Sequence, residues 1–429
     1  MRVLFIHQAF PAQFGRLALE LAHRHGWECP FLIESYSACP TPSRAMLEHL
    51  PRFPIPIAPR PPRQTPWPQV HGAWLELCQA VYHGVKNLPG PRPDLVVAHG
   101  GQGAPTLFLP DLLDCPIVNY CEYYFPDRYS DLTYRVDLPP AEPAPFYPRC
   151  INAPTLMGLL ACDAGYSATH FQRASFPERF RNRIEVHFDG VDTTLYRPRA
   201  IPRTIAGRAI PPGTRIVTFV ARGLESMRGF DLFLDVARRI LRARRDVLFV
   251  VAGSEEVYYG WDALVTGGVS FKQWAVSRAE TDLSRFLFLG QVEPERLAEV
   301  LALSDLHIYL SVPFVLSWSL INAMASGCVV LGSDVPPVRE VIEPGRTGLV
   351  EPLFDVDRLA ETALRVLDDP AAFRPLGQAA RALVEERYSL DVAVPDLKDY
   401  FERVAAAGTR REPGPRRGEV RATRDQTSA

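Results

Sequence analysis

The chain has 429 residues and a formal net charge of −2, and 47% of its residues are hydrophobic and 22% charged. A chain of this length predicts two domains, each large enough to bury its own hydrophobic core. The near-neutral charge excludes the strongly basic class of nucleic-acid-binding proteins, so we expect no nucleic acid partner.

The cysteines and the apolar segments of the sequence indicate the cellular compartment of the protein. The eight cysteines form no C-x-x-C pair and fall mostly in apolar runs, which favours buried free thiols over disulfides. Residues 1–7 predict a strand rather than a signal peptide, and no stretch is long enough to span a membrane. We expect a cytoplasmic protein without a membrane span. Peripheral contact with the inner face of a membrane stays open.

Apolar strands and amphipathic helices alternate along the first half of the chain. The predicted elements are strand 3–7, helix 10–25, strand 29–33, a proline-dense loop over 40–70, helix 74–88, strands 94–99 and 116–120, helix 152–161, strand 164–167, helix 171–181 and strand 184–188. This alternation predicts a parallel sheet with helices on both faces.

Residues 201–213 break the alternation and predict a linker, after which the same rhythm restarts. The elements predicted there are strand 216–221, helix 230–245, strands 247–252 and 286–289, helix 293–304, strand 306–311, and helical segments 337–342, 355–367, 371–388 and 391–406. The tail over 408–429 has almost no apolar residues, so we predict that it is disordered.

The segment from Pro313 to Ser333 has the order turn, helix, strand, and it follows strand 306–311. We predict that its helix begins near Ser317 or Ser319 and ends at Gly327. A helix N-terminus favours a phosphate because its free N–H groups and its dipole point the same way. At the carboxyl edge of a doubly wound sheet this is the place where ligands bind.

Arg222 and Arg228 flank a turn at the predicted carboxyl end of strand 216–221. Forked, charge-assisted hydrogen bonds from two such arginines suit a pyrophosphate, including a departing diphosphate. The alternative is a pair of solvated arginines in an arginine-rich chain.

Several motifs together resemble glycosyltransferase family 4, whose members are retaining sugar-nucleotide enzymes of the GT-B fold. In the second half they are Arg222 with Arg228-Gly229, Phe288-Leu-Gly290-Gln-Val292, Leu320-Ile-Asn322-Ala-Met-Ala-Ser-Gly327, Val329-Val330 with Ser333-Asp334, and Glu340-Val-Ile with Gly345-Arg-Thr-Gly348. In the first half they are His7-Gln-Ala-Phe-Pro-Ala-Gln-Phe14 and His187-Phe-Asp-Gly190-Val-Asp192. The resemblance extends to about residue 406 and is looser before residue 160.

The resemblance implies an α/β protein with two Rossmann-like, doubly wound parallel-sheet domains that face each other across a cleft. Residues 1–200 are expected to form the acceptor-side domain and residues 214–385 the donor-side domain. Residues 386–407 would be helices that cross back to the first domain.

The resemblance also assigns roles to residues of the donor site. Arg222 and Arg228 would bind the diphosphate, with Arg228 standing where the family usually has lysine. The other donor contacts it implies are Gln13 and Phe14 over the phosphates, Leu316, Ser317 and Ser319 capping them, Gly290 and Val292 at the base, and Asn322 at the ribose.

The sequence departs from the family pattern at two positions. The family typically carries two glutamates eight positions apart, and here those positions are Phe314 and Asn322. Asparagine can still accept a hydrogen bond from a ribose hydroxyl, whereas phenylalanine cannot accept one from the transferred sugar. The departure leaves the identity of the donor open.

Three residues of the first half are site candidates: Glu122 as a catalytic residue, and His7 and His99 as acceptor ligands. Glu122 follows strand 116–120, near the place where relatives often have a histidine close to the transferred sugar. A carboxylate there suits a sugar hydroxyl or a developing positive charge, and a glutamate paired with an arginine is the alternative. His7 and His99 stand at strand ends, and each is either an acceptor ligand or a structural histidine.

Two other motifs carry no site prediction. Asp355-Val-Asp357 matches an Asp-x-Asp metal motif, but the helix that follows it favours an N-cap. Gly100-Gly-Gln-Gly103 resembles a dinucleotide loop, but no acidic residue follows it at a second strand end. No cluster of His, Cys and Asp has metal-ligand spacing, so we expect neither a metal nor a cofactor.

The function that the resemblance implies is retaining transfer of a sugar from a nucleoside-diphosphate sugar to a hydroxyl of a glycan or lipid-linked acceptor. Surface polysaccharide or glycolipid assembly is the commonest family role. Two alternatives are a catalytically silent protein that binds sugar nucleotides or glycans, and a GT-B sugar-nucleotide epimerase, which would need carboxylates in the cleft.

Overall fold

The first half of the chain folds around one parallel sheet. The computed structural model describes residues 1–35, 43–55, 67–100, 105–126, 131–138, 147–260 and 262–410. Within them this sheet has seven strands in the order β3-β2-β1-β4-β5-β6-β7. They are β1 (Val3–Ala9), β2 (Phe31–Ser35), β3 (Arg52–Pro54), β4 (Leu95–His99), β5 (Ile117–Tyr120), β6 (Ala164–Ser167) and β7 (Ile184–Val186).

Helices cover both faces of this sheet, and the central strands are therefore buried on both sides. Val3 to Ile6 of β1 are at most 1% exposed. The helices are α1 (Phe14–His25), α2 (Arg44–His49), α3 (Trp67–Lys86), α4 (Asp131–Tyr134), α5 (Tyr147–Ala161), α6 (His170–Ser175) and α7 (Glu178–Arg181).

The second half forms its own parallel sheet after a short antiparallel hairpin of β8 (Thr204–Ile205) and β9 (Arg208–Ala209). This hairpin lies inside the segment that the sequence predicts as an irregular linker. The described part of the second sheet has six strands in the order β12-β11-β10-β13-β14-β15. They are β10 (Arg215–Gly223), β11 (Val247–Ser254), β12 (Phe286–Gly290), β13 (Leu306–Tyr309), β14 (Val330–Ser333) and β15 (Leu349–Glu351).

The two sheets have the same doubly wound topology. In each, the first strand lies inside the sheet and the strand order reverses beside it, between β1 and β4 and between β10 and β13. The carboxyl ends of the strands at such a reversal form a crevice that binds ligands. The helices of the second half are α8 (Phe230–Ala243), α9 (Asp262–Val265), α10 (Phe271–Arg278), α11 (Pro294–Ala302), α12 (Trp318–Ala325), α13 (Pro336–Arg339), α14 (Val356–Asp368), α15 (Pro370–Arg387) and α16 (Leu390–Ala407).

Helix α16 packs on the first domain although it follows the second in sequence. Leu397 and Phe401 are buried in the same cluster as Phe14 of α1. The hydroxyl of Tyr400 donates a hydrogen bond of 2.8 Å to the carbonyl of Gly165 in β6. The chain therefore crosses between the domains twice.

Several predicted elements differ from the structure near prolines. The first helix begins at Phe14 rather than at residue 10, after a turn in which Ala12 has a φ of 41°. The predicted helix 171–181 is two helices, because Pro177 stands between them and cannot donate a backbone hydrogen bond. The loop predicted over 40–70 contains α2, β3 and the start of α3, so that prediction was wrong for residues 44–54 and 67–70. The helix predicted over 74–88 begins at Trp67.

Two predictions concern residues outside the described part of the chain. Residues 101–104 of the glycine-rich loop lie there, as do residues 411–429 of the tail. Across the described residues, none of the helices combines the length and the apolar character needed to cross a membrane.

Candidate active site

The carboxyl ends of the two sheets face each other, and residues from both domains meet between them. The ring of Tyr123, which lies just after β5, packs on Phe314 with ring centroids 4.8 Å apart. The indole N–H of Trp318 donates a hydrogen bond of 3.1 Å to a carboxylate oxygen of Asp189. The cleft predicted from the sequence is therefore formed by side chains that contact each other across it.

Arg228 is a buried residue of this cleft rather than a solvated arginine. It ends the turn Ser226–Arg228 and is 6% exposed. Its Nη1 donates hydrogen bonds of 3.2 Å to the hydroxyl of Ser311 and to the carbonyl of Val315. These contacts join the turn after β10 to the loop that precedes α12.

Arg222 is exposed, but its guanidinium group is held by an aromatic ring. It lies at the carboxyl end of β10, and its guanidinium carbon is 3.9 Å from the centroid of the Tyr258 ring. This distance is within the range of a cation–π interaction. The guanidinium group of Arg222 therefore lies over an aromatic ring at the mouth of the cleft.

Glu225 organises the surroundings of both arginines. It is fully buried, and its Oε2 accepts hydrogen bonds from the backbone N–H groups of Tyr258 (2.6 Å) and Tyr259 (3.1 Å). The rings of these tyrosines lie beside Arg222 and Arg228, respectively. Burial raises the pKa of Glu225 to about 7, although the charge of Arg228 opposes this shift. No sequence motif predicted a role for Glu225.

Helix α12 begins where the sequence predicts. Ser317 is its N-cap, and the Ser317 hydroxyl accepts a hydrogen bond of 3.3 Å from the backbone N–H of Ser319. The hydroxyl of Tyr309 accepts one of 3.1 Å from the backbone N–H of Ser317. Asn322 lies one turn further along and is partly exposed. The N–H groups of Ser317 and Ser319 thus have acceptors in this structure, and an anion that binds at the N-terminus of α12 would replace the Ser317 hydroxyl as the cap.

The predicted base contacts lie beside this helix. Gly290 ends β12, is exposed and has a φ of 67°, a conformation that favours glycine. Val292 packs against the apolar cluster that contains Leu316 and Leu320. Leu316 is 8% exposed, so its side chain belongs to that cluster and only its backbone is available to a phosphate.

On the first-domain side, four polar residues form a connected group. Nε2 of His7 is 2.8 Å from Oε1 of Gln13, and the Gln13 amide nitrogen is 3.5 Å from Oε1 of Glu122. Nε2 of His99 is 3.7 Å from Oε2 of Glu122. The rings of His7 and His99 are in edge contact, with centroids 4.7 Å apart. The structure thus brings together residues that are far apart in sequence.

Burial changes the protonation of this group. It raises the pKa of Glu122 to about 7, while the positive charges of Arg222 and Arg228 lower it. Burial also lowers the pKa of His7, and the neighbouring His99 adds to that effect. Near neutral pH His7 is therefore uncharged, and Glu122 is close to its titration point.

Asp189 is a further carboxylate of the cleft that the sequence analysis did not single out. Burial raises its pKa to about 7, with an opposing hydrogen bond from Trp318 and a supporting charge effect from Glu122. It lies in the run His187-Phe-Asp-Gly190, which carried the family resemblance but no side-chain role. Membership of that run was the signal that could have identified it.

Two predicted residues have their side chains in apolar surroundings. The ring of Phe14 is 1% exposed and packs on Tyr120 in the core of the first domain. Only the backbone of Phe14, at the start of α1, is therefore available to a ligand. Phe314 is 3% exposed and also contacts Tyr259, with centroids 4.9 Å apart. At position 314 aromatic packing thus replaces the polar contact expected of the family's glutamate.

The other sequence motifs have local structural roles. The carboxylate of Asp355 accepts a hydrogen bond of 3.1 Å from the backbone N–H of Arg358, which confirms the N-cap interpretation. His7 and His99 both line a small cavity, together with Glu34. In the part of the chain that the structure describes, no group of three His, Cys, Asp or Glu side chains is placed to hold a metal ion.

Two family models match the chain on either side of the boundary between the sheets. The model described as "Glycosyl transferase family 4 group" matches residues 57–196, and the model described as "Glycosyl transferases group 1" matches residues 201–383. The chain belongs to glycosyltransferase family 4. This membership confirms the resemblance stated from the motifs.

Curated proteins related to this family 4 chain match only part of it. The N-acetyl-alpha-D-glucosaminyl L-malate synthase of Bacillus anthracis is 36% identical over 117 residues, which are 27% of this chain and 30% of that enzyme. The D-inositol 3-phosphate glycosyltransferase of Nocardia farcinica is 33% identical over 211 residues, 47% of this chain and 44% of the relative. The matches thus span less than half the length of these relatives.

Solved structures match this family 4 chain over nearly all of its length. Sucrose-phosphate synthase from Thermosynechococcus elongatus has a TM-score of 0.73 at 17% identity, covering 95% of this chain and 100% of that one. Anabaena HepE in complex with UDP and glucose has a TM-score of 0.65 at 15% identity, covering 94% and 100%. These similarities confirm the predicted GT-B fold with its two Rossmann-like domains.

Proposed function

We propose that the protein is a retaining glycosyltransferase that moves a sugar from a nucleoside-diphosphate sugar to a hydroxyl of a glycan or lipid-linked acceptor. One observation carries the proposal. Arg228 is bonded to the loop before α12, and both it and Arg222 lie close enough to Glu122 of the other domain to lower its pKa. Cationic groups for a diphosphate therefore face a polar group suited to a sugar or an acceptor.

The donor half of the cleft would stabilise the departing diphosphate. Negative charge grows on that group as the glycosidic bond breaks, and preorganised positive groups favour the transition state most strongly. Arg222, Arg228 and the first amides of α12 would supply this stabilisation. Gln13 and the backbone of Phe14 would approach the phosphates from the first domain.

The nucleoside would lie along the edge of the second domain. Gly290 and Val292 would contact the base, and Asn322 would bind a ribose hydroxyl through its amide. Ser317 and Ser319 would hold the start of α12 in place for the phosphates. Nothing in this arrangement requires a bound metal ion or a protein nucleophile.

The acceptor half would bind hydroxyl groups. Glu122 in its anionic form can accept a hydrogen bond from a sugar hydroxyl and stabilise positive charge on the transferred sugar. His7 and His99 would orient the acceptor beside it. The carboxyl of Asp189 lies at the same cleft and is a further partner for the sugar.

The relatives favour this class of reaction without fixing its substrates. Their names include a glucosaminyl malate synthase, an inositol phosphate glycosyltransferase and a GDP-mannose-dependent mannosyltransferase of a phosphatidylinositol mannoside. The HepE structure contains UDP and glucose. A role in glycan or glycolipid assembly on the cytoplasmic side, with contact to the inner membrane face for a lipid-linked acceptor, follows as part of the proposal.

A sugar-nucleotide epimerase is the second candidate, and one observation favours it. Epimerisation needs carboxyl groups in the cleft, and Glu122 and Asp189 are two such groups that influence each other's charge. An epimerase would change the configuration of the sugar without any acceptor. The two functions therefore differ in their products.

The first test is an assay of purified protein with UDP-, GDP- and ADP-sugars, with and without EDTA. We expect slow hydrolysis of one donor, retention of its anomeric configuration, and rates that EDTA does not change. Product with an altered ring stereocentre would establish the epimerase instead. Tight nucleotide binding without turnover would indicate a binding protein, and loss of activity with EDTA would contradict the metal-independent mechanism.

Glu122→Gln tests the acceptor half through pH. Since the pKa of Glu122 is raised to about 7 and its anion is the active form, wild-type kcat/KM should rise between pH 6 and 8, and the variant should lose this rise. The pKa of Glu122 in the folded protein, about 7, exceeds that of a free glutamate. The protonated carboxyl therefore stabilises the fold at low pH, and this contribution is lost as the pH rises to about 7. The variant should therefore unfold at a higher temperature than wild type at pH 8, but not at pH 5.

The matched control is Glu48→Gln, since Glu48 is a glutamate on α2 that pairs with Arg44. It should keep the wild-type pH profile. An unchanged profile in Glu122→Gln would remove Glu122 from the site.

A further inference from the structure

One arginine of the first domain binds the turn that carries Arg228. Arg135 follows α4, in the segment between β5 and α5. Its Nη1 donates a hydrogen bond of 2.6 Å to the backbone carbonyl of Ser226. Its Nη1 and Nη2 also donate to the two carboxylate oxygens of Asp231 at the start of α8, at 3.1 and 2.6 Å. This contact joins the two domains at the turn Ser226–Arg228, which is called the donor turn below.

The guanidinium group of Arg135 is fully engaged. Its remaining edge donates to both carboxylate oxygens of Asp137, through Nε at 2.8 Å and Nη2 at 2.6 Å. The side chain of Arg135 is only 6% exposed, and that of Asp231 is 18% exposed. A planar fork that bonds two carboxylates and a carbonyl is specific to arginine, because lysine presents a single point charge.

The donor turn is held from both sides. Within the second domain, the backbone N–H of Ser226 donates a hydrogen bond of 2.8 Å to Asp262, and the Ser226 hydroxyl donates another to the same carboxylate. Arg135 holds the opposite end of the same residue, its carbonyl. Two residues further along is Arg228, so a shift of Ser226 moves the guanidinium group proposed to bind the diphosphate.

We propose that Arg135 is a positioning residue that links the approach of the two domains to the placement of Arg228. The expected effect of Arg135 on catalysis rests on the proposed function. The link that Arg135 makes between the two domains does not depend on that function. Separation of the domains breaks the contacts of Arg135 with Ser226 and Asp231 and leaves the turn held only by contacts within the second domain, such as those of Ser226 with Asp262. The full set of turn contacts then forms only when the first domain is in place.

This role differs from that of a general stabilising ion pair. The groups proposed to bind the donor belong mostly to the second domain, so loss of Arg135 should weaken nucleotide binding only through the displaced guanidinium group of Arg228. Chemistry needs the diphosphate, the sugar and the acceptor in one geometry, which requires both domains. A defect at Arg135 should therefore lower kcat by a larger factor than it raises the dissociation constant of the nucleotide.

The experiment compares Arg135→Lys, Arg135→Ala and Asp231→Asn in the full chain. We expect kcat to fall by about tenfold to a hundredfold, the scale of misplacing a group near the reacting atoms. The dissociation constant of the nucleoside diphosphate, measured by calorimetry, should rise by a smaller factor than the factor by which kcat falls. Arg135→Ala and Asp231→Asn should not add in the double variant, because they remove the same contact.

Arg239→Ala is the control, because Arg239 pairs with Asp357 within the second domain alone. It should leave kcat unchanged. Wild-type kcat in Arg135→Lys would overturn the inference, and so would a nucleotide affinity that falls in parallel with kcat.

Small-angle X-ray scattering separates this inference from the proposed function. With nucleotide bound, Arg135→Ala should have a larger radius of gyration than wild type. If wild type shows no turnover with any donor, the proposed function fails and scattering alone decides the inference. Identical scattering curves for the two proteins would then overturn it.

Discussion

Replacing either Arg222 or Arg228 by alanine is expected to lower kcat/KM for sugar transfer by about 10²-fold or more, the usual cost of losing a charged contact in a transition state. Arg228 is buried and bonded to the loop before α12, and Arg222 lies over the Tyr258 ring at the mouth of the cleft. Water that fills the space in the alanine variants carries no charge, so it cannot substitute for either guanidinium group. Steady-state kinetics with the donor identified in the assay of sugar nucleotides measures the loss.

Conservative and remote variants make this prediction sharper. Arg228→Lys keeps the charge and should retain more activity than Arg228→Ala, since family members usually have lysine at this position. Arg238→Ala, which removes an ion pair with Asp235 on α8, should leave the kinetics unchanged. A folded Arg228→Ala protein with wild-type turnover would remove Arg228 from the active site.

Gly377→Ala is expected to destabilise the protein by about 3 kcal/mol, the upper part of the range for overpacking a close contact. Gly377 lies in α15, where a β-carbon would come within 2.2 Å of the backbone carbonyl oxygen of Gly327. Gly327 follows α12 and leads into β14, so backbone must move to relieve the clash. Chemical denaturation with urea measures the change in the free energy of unfolding.

Gly72→Ala is the matched control for this prediction. Gly72 also lies within a helix, α3, but no atom lies within 4 Å of the position that its β-carbon would take. Alanine there should raise the free energy of unfolding by about 0.5–1 kcal/mol, because glycine has the higher entropy in the unfolded chain. Equal effects at both positions would contradict the role given to the contact between Gly377 and Gly327.

The parallel sheets could be predicted because their strands are continuous apolar runs. Residues 3–6 and 95–98 are buried on both faces, and such strands show in the sequence without any knowledge of their neighbours. The family resemblance implied doubly wound sheets, but the order of the strands was not predicted. Hydrophobic periodicity reports how far each element is buried, but not which strand lies beside it.

Short elements were predicted less well for a physical reason. Strand β3 pairs with β2 and has only three residues, two of them partly exposed, so its local pattern is weak. Strand β15 likewise depends on β14 for its backbone hydrogen bonds. The pairing partner, not the sequence of these segments, decides that they are strands.

For the site, the motifs indicated the residues proposed to bind the donor but not the side chains that hold them. Arg222, Arg228 and Ser317 are recognised by spacing and by their place after a strand or before a helix. Glu225 acts through contacts with residues tens of positions away, so no local pattern marks it. Asp189 also contacts a distant residue, and its place in the run His187-Phe-Asp-Gly190 was its one local signal.

The sequence by itself determined the two-domain α/β architecture, the turn with two arginines and the start of α12, because each depends on residues that are neighbours in the chain. Only the tertiary structure decided that Glu122 titrates near neutral pH, that Phe314 packs against Tyr123, and that Arg135 holds the donor turn. These properties arise from burial and charge between side chains of different domains. The side chains involved come close to each other only once the two sheets face each other.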